Sequence, residues 1–452
     1  MTGTITRDAR ARFDRDVAWS AFAMLVPIGF GLLALPLIFR NAGAQDFTLF
    51  LLSYGAISFA PSLDLGVSRT AQRRIAYAIA FHADSRAALV AHSLRRAVMV
   101  AGGMGMVAVI GALLLFPARA GADRPVMLAM VTGAGVALGI YANCQRGVLE
   151  GLGAFSRSAM NRAGVGVMLV GAPVLVSFVD HDAAALSLAA LLVRLPFAWE
   201  QHRAIRSVLA RGATEDTARR EDVIPGFMRE SGWFALLAVL AVAMSGFDRY
   251  IVIGWGGLAG QPLATFLATQ DLALRAIAVP AALLPALTVR LAASDGAGMA
   301  RALSNRLFLA IVPGAVIGCA AAALLSDLVI ALLYPRLPAA EAVACLRVLL
   351  IGIAASAVAQ FPNARLAAAG RARDAALMHL GQFLIYLVVV PPVVVRHGAV
   401  GAAMLWSGRI VLDAAMLIVW SGMAQQERAA MVREGCVLVA GVLVVLAAGL
   451  LG

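Results

Sequence analysis

Five arginines of this chain stand inside long apolar runs: Arg194, Arg249, Arg275, Arg347 and Arg409. A guanidinium at the centre of a bilayer costs roughly 2.5–3.5 kcal/mol on insertion scales, so it must face a cavity, a partner or the headgroup region. Arg275 and Arg409 lie near the middle of their runs, each with an acid four residues away, Asp271 and Asp413. On a helix that spacing places both members on one face. Two readings fit, a self-neutralising structural pair and the polar lining of a central cavity, and both hold if the pair faces the cavity. Asp248 and Arg249 are adjacent. Adjacent helical side chains point about 100° apart, so at least one of the two needs a partner on another helix or in water. Arg347 stands a turn or two inside the end of its run, where it either snorkels to the interface or lines the cavity. Arg194 stands near the end of its run and reads as a snorkelling side chain.

Four of the five arginines fall in the second half of the chain. The first half has only Asp64 at comparable depth, with milder groups such as Ser20, Ser53, Ser58 and Asn143. A cavity between the halves would be cationic on one wall. Such a wall suits an anionic headgroup, because the planar arginine fork grips phosphate oxygens in pairs. It suits a cationic drug poorly. Other chemistries lack their residues. There is no Walker A sequence and no GxSxG, and no group of acids at an outer helix end that would hold a metal and a sugar donor. Cys144, Cys319, Cys345 and Cys436 lie in or at the ends of apolar runs without CxxC spacing, and the six His are scattered. No metal site or cofactor is readable, and no catalytic residue is expected.

The elements that must position these charges are membrane helices. Of 452 residues, 62% are hydrophobic and 14% charged, with a mean hydropathy of +0.87. The apolar residues form charge-poor runs near the ~20 residues that span a bilayer. This composition excludes a soluble enzyme, a disordered chain and a secreted disulfide scaffold, and the absence of alternation excludes an outer-membrane barrel. The runs predict spans near 17–38, 47–67, 98–117, 125–144, 162–179, 183–200, 232–254, 263–289, 307–332, 342–362, 375–395, 399–421 and 436–451. The first is too long for the apolar part of a cleavable signal. The expected fold class is an all-α polytopic membrane protein of about 12–13 spans.

All 37 basic residues are Arg. With the N-terminus cytoplasmic, 27 Arg fall in inside segments and only 5 outside: Arg40, Arg119, Arg124, Arg336 and Arg396. That asymmetry sets the orientation. A polar stretch at 201–231 mixes both charge signs and reads as a cytoplasmic linker. It divides an N-terminal six-helix lobe, 1–200, from a C-terminal one, 232–421, with an extra C-terminal membrane helix within 422–452. An internal echo agrees. Arg15-Asp16-Val17-Ala18-Trp19 recurs as Arg229-Glu230-Ser231-Gly232-Trp233, and Gly153 aligns with Gly370 at a similar offset. Six intervening helices keep both halves in one orientation, so the two bundles should be related by a pseudo-two-fold axis along the membrane normal.

Two stretches carry a resemblance. The second run ends Ser62-Leu63-Asp64-Leu65-Gly66-Val67-Ser68-Arg69, and the seventh ends Gly246-Phe247-Asp248-Arg249-Tyr250-Ile251-Val252-Ile253-Gly254. With Leu149-Glu150-Gly151-Leu152-Gly153 and Ala369-Gly370-Arg371, the chain resembles the bacterial polysaccharide flippases. These form the Wzx-like branch of the multidrug/oligosaccharidyl-lipid/polysaccharide (MOP) transporters. The first outer turn, Asn41 to Phe47, departs from the family's Gly-Pro and Tyr-Gly element. The resemblance implies a bacterial inner-membrane flippase, not an enzyme, for an undecaprenyl-pyrophosphate-linked oligosaccharide. Its motif residues here are Asp64 and Gly66. Its companions would be the polysaccharide polymerase and chain-length machinery. A MATE-like drug or metabolite antiporter of the same superfamily is the alternative, and a membrane polymerase or glycosyltransferase a more distant one. On the residue reading, the substrate would meet Arg249, Arg275, Arg409 and Arg347, with Asp248, Asp271 and Asp413 as counter-charges.

Overall fold

A computed structural model describes residues 2–81, 86–115, 124–211, 239–240, 248–281, 297–368, 372–425 and 428–451. The described residues are mostly helical, with no strand among them. Its contacts divide it into two compact units, Met1–Phe247 and Asp248–Gly452. Most of the 201–231 stretch and of the seventh run lie outside the described residues, as do Gly370 and Arg371.

The first unit begins with α1 (Thr2–Phe59), a helical rod folded at Gly43, whose φ of 79° and ψ of 176° are not helical. Glycine makes that left-handed corner without a Cβ clash. The first two expected spans are therefore one hydrogen-bonded element with an abrupt corner. Phe39 and Phe47 meet edge-on across it, 5.1 Å apart. A 3-10 turn (Ala60–Leu63) and α2 (Val67–Phe81) continue the second arm. The second span thus reaches well beyond its expected end at 67, with a break inside it. Then come α3 (Arg86–Leu115), α4 (Pro125–Gly151), α5 (Phe155–Val176) and α6 (Ala183–Arg211). These helices outrun their apolar windows at one end, because hydropathy marks only the hydrocarbon depth while the helix continues into the headgroup zone with its arginines.

α4 is the spine of the first unit. Gly135, Gly139, Gly147 and Gly151 recur every fourth residue or its multiple on one face. An added Cβ would stand 2.6 Å from Ile57 at Gly135, 2.5 Å from the Ser68 carbonyl at Gly147 and 2.9 Å from the Gln72 carbonyl at Gly151. Small residues at this period let backbones approach closely, and here they seat the second arm of α1 and then α2. At the other end Asn41 donates to Ser177 (2.9 Å) and the Asp46 carboxylate accepts the Ala183 N–H (3.2 Å), capping α6. The turn from Asn41 to Phe47 thus fastens α1 to the α5–α6 connection.

The second unit comprises α7 (Asp248–Gly254), α8 (Gly260–Ala281), α9 (Ala297–Leu324), α10 (Ser326–Leu333), α11 (Ala339–Ala368), α12 (Ala372–Gln425) and α13 (Arg428–Leu451). α11 is its core, packed against α8, α9, α12 and α13. α12 repeats the device of α1, folding back at Gly398 (φ 56°, ψ −136°). Nine described helices are long and apolar enough to cross a membrane, and two of them, Val26–Gln72 and Leu377–Met423, hold 47 residues each. At 1.5 Å per residue each of those two has room for two crossings. The chain is a multi-pass membrane protein.

Candidate functional site

The second unit buries a polar cluster around Asp248 and Arg409. Asp248 opens α7 and is 1% exposed; its Oδ2 accepts the Gln270 amide N–H from α8 at 2.7 Å, while Oδ1 has no partner. This is the cross-helix partner that the adjacent Asp248–Arg249 pair required. Arg249 is also 1% exposed, enclosed in the unit rather than open to a ligand. Arg409 on α12 is partly open and makes no hydrogen bond or ion pair among the described residues. Asp248 is its strongest electrostatic neighbour, followed by Tyr386 and Asp413.

The expected Arg409–Asp413 pair does not form, whereas Arg275 Nε reaches Asp271 Oδ2 at 2.6 Å. The difference lies in chain order. Helical side chains lean toward the N-terminus, so an arginine reaches back to an acid four residues earlier but leans away from one four residues later. Asp413 takes instead the Gln382 amide (3.2 Å) and His379 (3.5 Å) from the facing arm of α12.

The two arms of α12 leave between them a cavity of about 410 Å³. Ile385, Val389 and Val393 on one arm and Met404, Leu405 and Leu412 on the other make its apolar walls, with Gln382, Tyr386, His397 and Arg409 as polar lining. The Tyr386 hydroxyl and Gln382 Oε1 are buried without partners. An apolar slot of a few hundred Å³ with a few convergent polar groups is the usual form of a ligand site. A guanidinium without an ion pair in such a slot is chemically suited to an anion.

Other expected residues stand apart. Arg347 Nη2 pairs with Asp327 (2.7 Å) and its Nε with Ser326 (2.8 Å), stapling α11 to α10, while Gly449 of α13 lies against its stem. Arg275 and Asp271 share their surroundings with Tyr334. Arg194 corrects the snorkelling reading. It is 6% exposed on α6 and donates to the Ile57 carbonyl at 3.0 Å, where the second arm of α1 runs out of helical partners. Gly139 makes room for it: a Cβ there would lie 2.6 Å from Nη1.

Asp64 also differs from a free embedded charge. Its Oδ1 accepts the Gly66 N–H (2.9 Å) and its Oδ2 the Ser68 N–H (3.1 Å), capping α2. Leu65 (φ 51°) and Gly66 (φ 74°) take the left-handed corner between the 3-10 turn and α2. A non-glycine residue there costs about 1–2 kcal/mol, which the two capping bonds offset. Asn143 of α4 donates to Asp64 Oδ2 (2.8 Å) and to the Pro61 carbonyl (2.7 Å). Arg146 donates to Asn143 Oδ1 and lies 3.9 Å from Glu150, which accepts Ser158 Oγ at 2.8 Å. Sequence reading missed this relay and the roles of Gln270, His379, Gln382 and Tyr386. Their only signal was polarity inside apolar runs. Among the described residues no group of three or more His, Cys, Asp or Glu could hold a metal.

No family model matches the chain. It is 25% identical over 426 residues to a Shigella flexneri protein named "Putative O-antigen transporter", covering 89% of this chain and 96% of that one. Among solved structures, an inward-facing multidrug resistance MATE transporter of the MOP superfamily superposes with a TM-score of 0.68 at 15% identity, over 92% of this chain and 98% of that one. An outward-facing one gives 0.64 at 15% identity, over 93% and 96%. A MOP transporter from Pyrococcus furiosus, described as having a binding pocket of reverse polarity, gives 0.60 at 15% identity, over 90% and 95%. These relatives are transporters, not enzymes. The chain thus has the fold of these solved MOP-superfamily transporters and, along nearly its whole length, a sequence likeness to a protein named as an O-antigen transporter.

Proposed function

We propose that the protein is a flippase of the bacterial inner membrane, turning an undecaprenyl-pyrophosphate-linked oligosaccharide from the cytoplasmic to the outer leaflet by alternating access. The observation that carries this reading is Arg409, a guanidinium without an ion pair in an apolar-walled cavity of the second unit. A pyrophosphate cannot cross hydrocarbon unaided, and a fixed arginine supplies the counter-charge it needs. Asp248 and Asp413 balance Arg409 when the site is empty. The sequence likeness to an O-antigen transporter supports the same reading. Arg275 is a second contact, reached by exchange of Asp271 for phosphate, and Arg249 is a third only after the unit opens. The N-terminus is cytoplasmic in this proposal, and the polymerase and chain-length machinery act on the product outside.

The test is glycan export with protein level measured alongside. Arg409→Ala abolishes export at normal protein level. Arg409→Lys keeps the charge, loses the planar fork and gives partial export. Wild-type export by Arg409→Ala, or efflux of cationic dyes by the wild-type protein in place of glycan export, would overturn the reading in favour of a MATE-like antiporter.

A further inference from the structure

At the inner end of the first unit, Arg146 does two things at once. It holds Asn143 through Oδ1, and it is open enough to meet a ligand, with its side chain 29% exposed. Asn143 spends both of its amide N–H donors on the broken segment, at Pro61 and at Asp64. Asp64 in turn caps α2 across the left-handed corner at Leu65 and Gly66. Removing Arg146 from Asn143 frees the amide to rotate away from that corner. A second cation stands beside this relay. Arg162 on α5 is exposed, makes no hydrogen bond or ion pair among the described residues, and lies within electrostatic reach of Arg146 and Glu150. Ser158, one turn before Arg162 on α5, donates to Glu150 at 2.8 Å, so α5 brings Arg162 toward the carboxylate that Arg146 Nε approaches at 3.9 Å, a loose pair.

We propose that Arg146 and Arg162 form a receiving site for the phosphate headgroup of an inner-leaflet amphiphile, and that phosphate arriving there draws Arg146 off Asn143 and unlatches the corner between the 3-10 turn and α2. The identity of the amphiphile, and the placing of this end in the cytoplasmic leaflet, rest on the flippase reading. The site itself rests on the local geometry. A phosphate oxygen is a stronger acceptor for arginine than a neutral amide oxygen, so the exchange is favourable once the headgroup is desolvated against both cations. Release of Asn143 leaves Leu65 in its costly conformation with one stabilising partner fewer. The corner is therefore set to move when the site fills.

The experiment uses the full chain in nanodiscs with Arg409→Ala as background, so that the second unit's cavity does not contribute. Spin labels at residues 69 on α2 and 160 on α5 report the corner. The probes are farnesyl pyrophosphate, inorganic pyrophosphate and phosphatidylglycerol against a phosphatidylcholine background. Farnesyl pyrophosphate is expected to bind and shift the 69–160 distance distribution. Arg146→Gln with Arg162→Gln weakens binding by about tenfold or more, the loss of a charge-assisted contact, and removes the shift. Asn143→Ala adopts the shifted distribution without ligand and still binds. Should the double Gln variant fail to fold by thermal unfolding, Arg146→Lys with Arg162→Lys serves in its place, with weakened binding and a smaller shift. A shift produced by phosphatidylglycerol and not by farnesyl pyrophosphate keeps the site and removes the lipid-linked donor as its ligand. An unshifted distribution with saturating probes, or wild-type binding in the double variant, overturns the proposal while leaving the Arg409 export test untouched.

Discussion

Ion pairs buried in this chain differ in what they hold. Arg365 and Glu434 form a two-pronged pair at 2.7 and 2.6 Å, with Glu434 0% exposed and Ser421 as an added partner of the arginine at 3.1 Å. Breaking one side strands a buried charge, so Glu434→Ala is expected to destabilise the protein by about 3–5 kcal/mol. Replacing both with apolar residues of similar size, Arg365→Met with Glu434→Leu, should restore most of that loss in the same thermal-unfolding measurement. Failure of the double variant to recover would mean that the pair orients α13 rather than merely neutralising itself. At the Asp64 corner, Gly66→Ala puts a Cβ into a φ of 74° and should cost about 1–2 kcal/mol, with a matching drop in unfolding temperature. The sequence marked Asp64 and Gly66 as a motif. The capping N–H groups of Gly66 and Ser68 are local to the motif, whereas Asn143, which also holds the carboxylate, reaches Asp64 only because α4 lies alongside the break.

Among the helices, α13 is the shortest apolar run of the C-terminal half by hydropathy, expected at 436–451. It starts eight residues earlier, at Arg428, and packs on α9, α11 and α12 of the second unit. Arg433 extends to Asn305 of α9 at 2.7 Å and stands over the Phe308 ring at 5.2 Å. Gly441 and Gly449 rest against Val316 and Arg347. Helix α13 therefore completes the packing of α9 and α11. Deleting residues 436–452 is expected to lower the amount of folded protein and the unfolding temperature, and to leave the specificity of transport by the surviving protein unchanged. Loss of export at normal protein level would instead assign α13 a part in transport. The corners at Gly43 and Gly398 were legible only as gaps between apolar runs. That each is a single left-handed residue inside an otherwise continuous rod depends on the neighbouring helices that catch the returning arm.

For the molecule as a whole, the arginine asymmetry makes a directional statement. A cysteine placed at residue 215, in a chain with its native cysteines replaced, should react with an impermeant maleimide in inside-out vesicles and not in intact cells. Labelling from the outside would reverse the proposed orientation and with it the assignment of Arg146 and Arg162 to the inner leaflet. The sequence by itself determined the class, the number of apolar runs and the depth of the embedded charges, because the bilayer imposes a length and a polarity on every crossing segment. It could also pair Asp271 with Arg275, since both lie on one helix in the favourable order. Tertiary structure alone decided that Arg409 is left without an ion pair while Asp413 turns to His379 and Gln382, that Asp248 finds Gln270, and that Arg194 is buried on a helix end. Those outcomes join residues 22 to 137 positions apart. Which partner a buried charge obtains is set by the packing of facing helices, and local spacing carries no information about it.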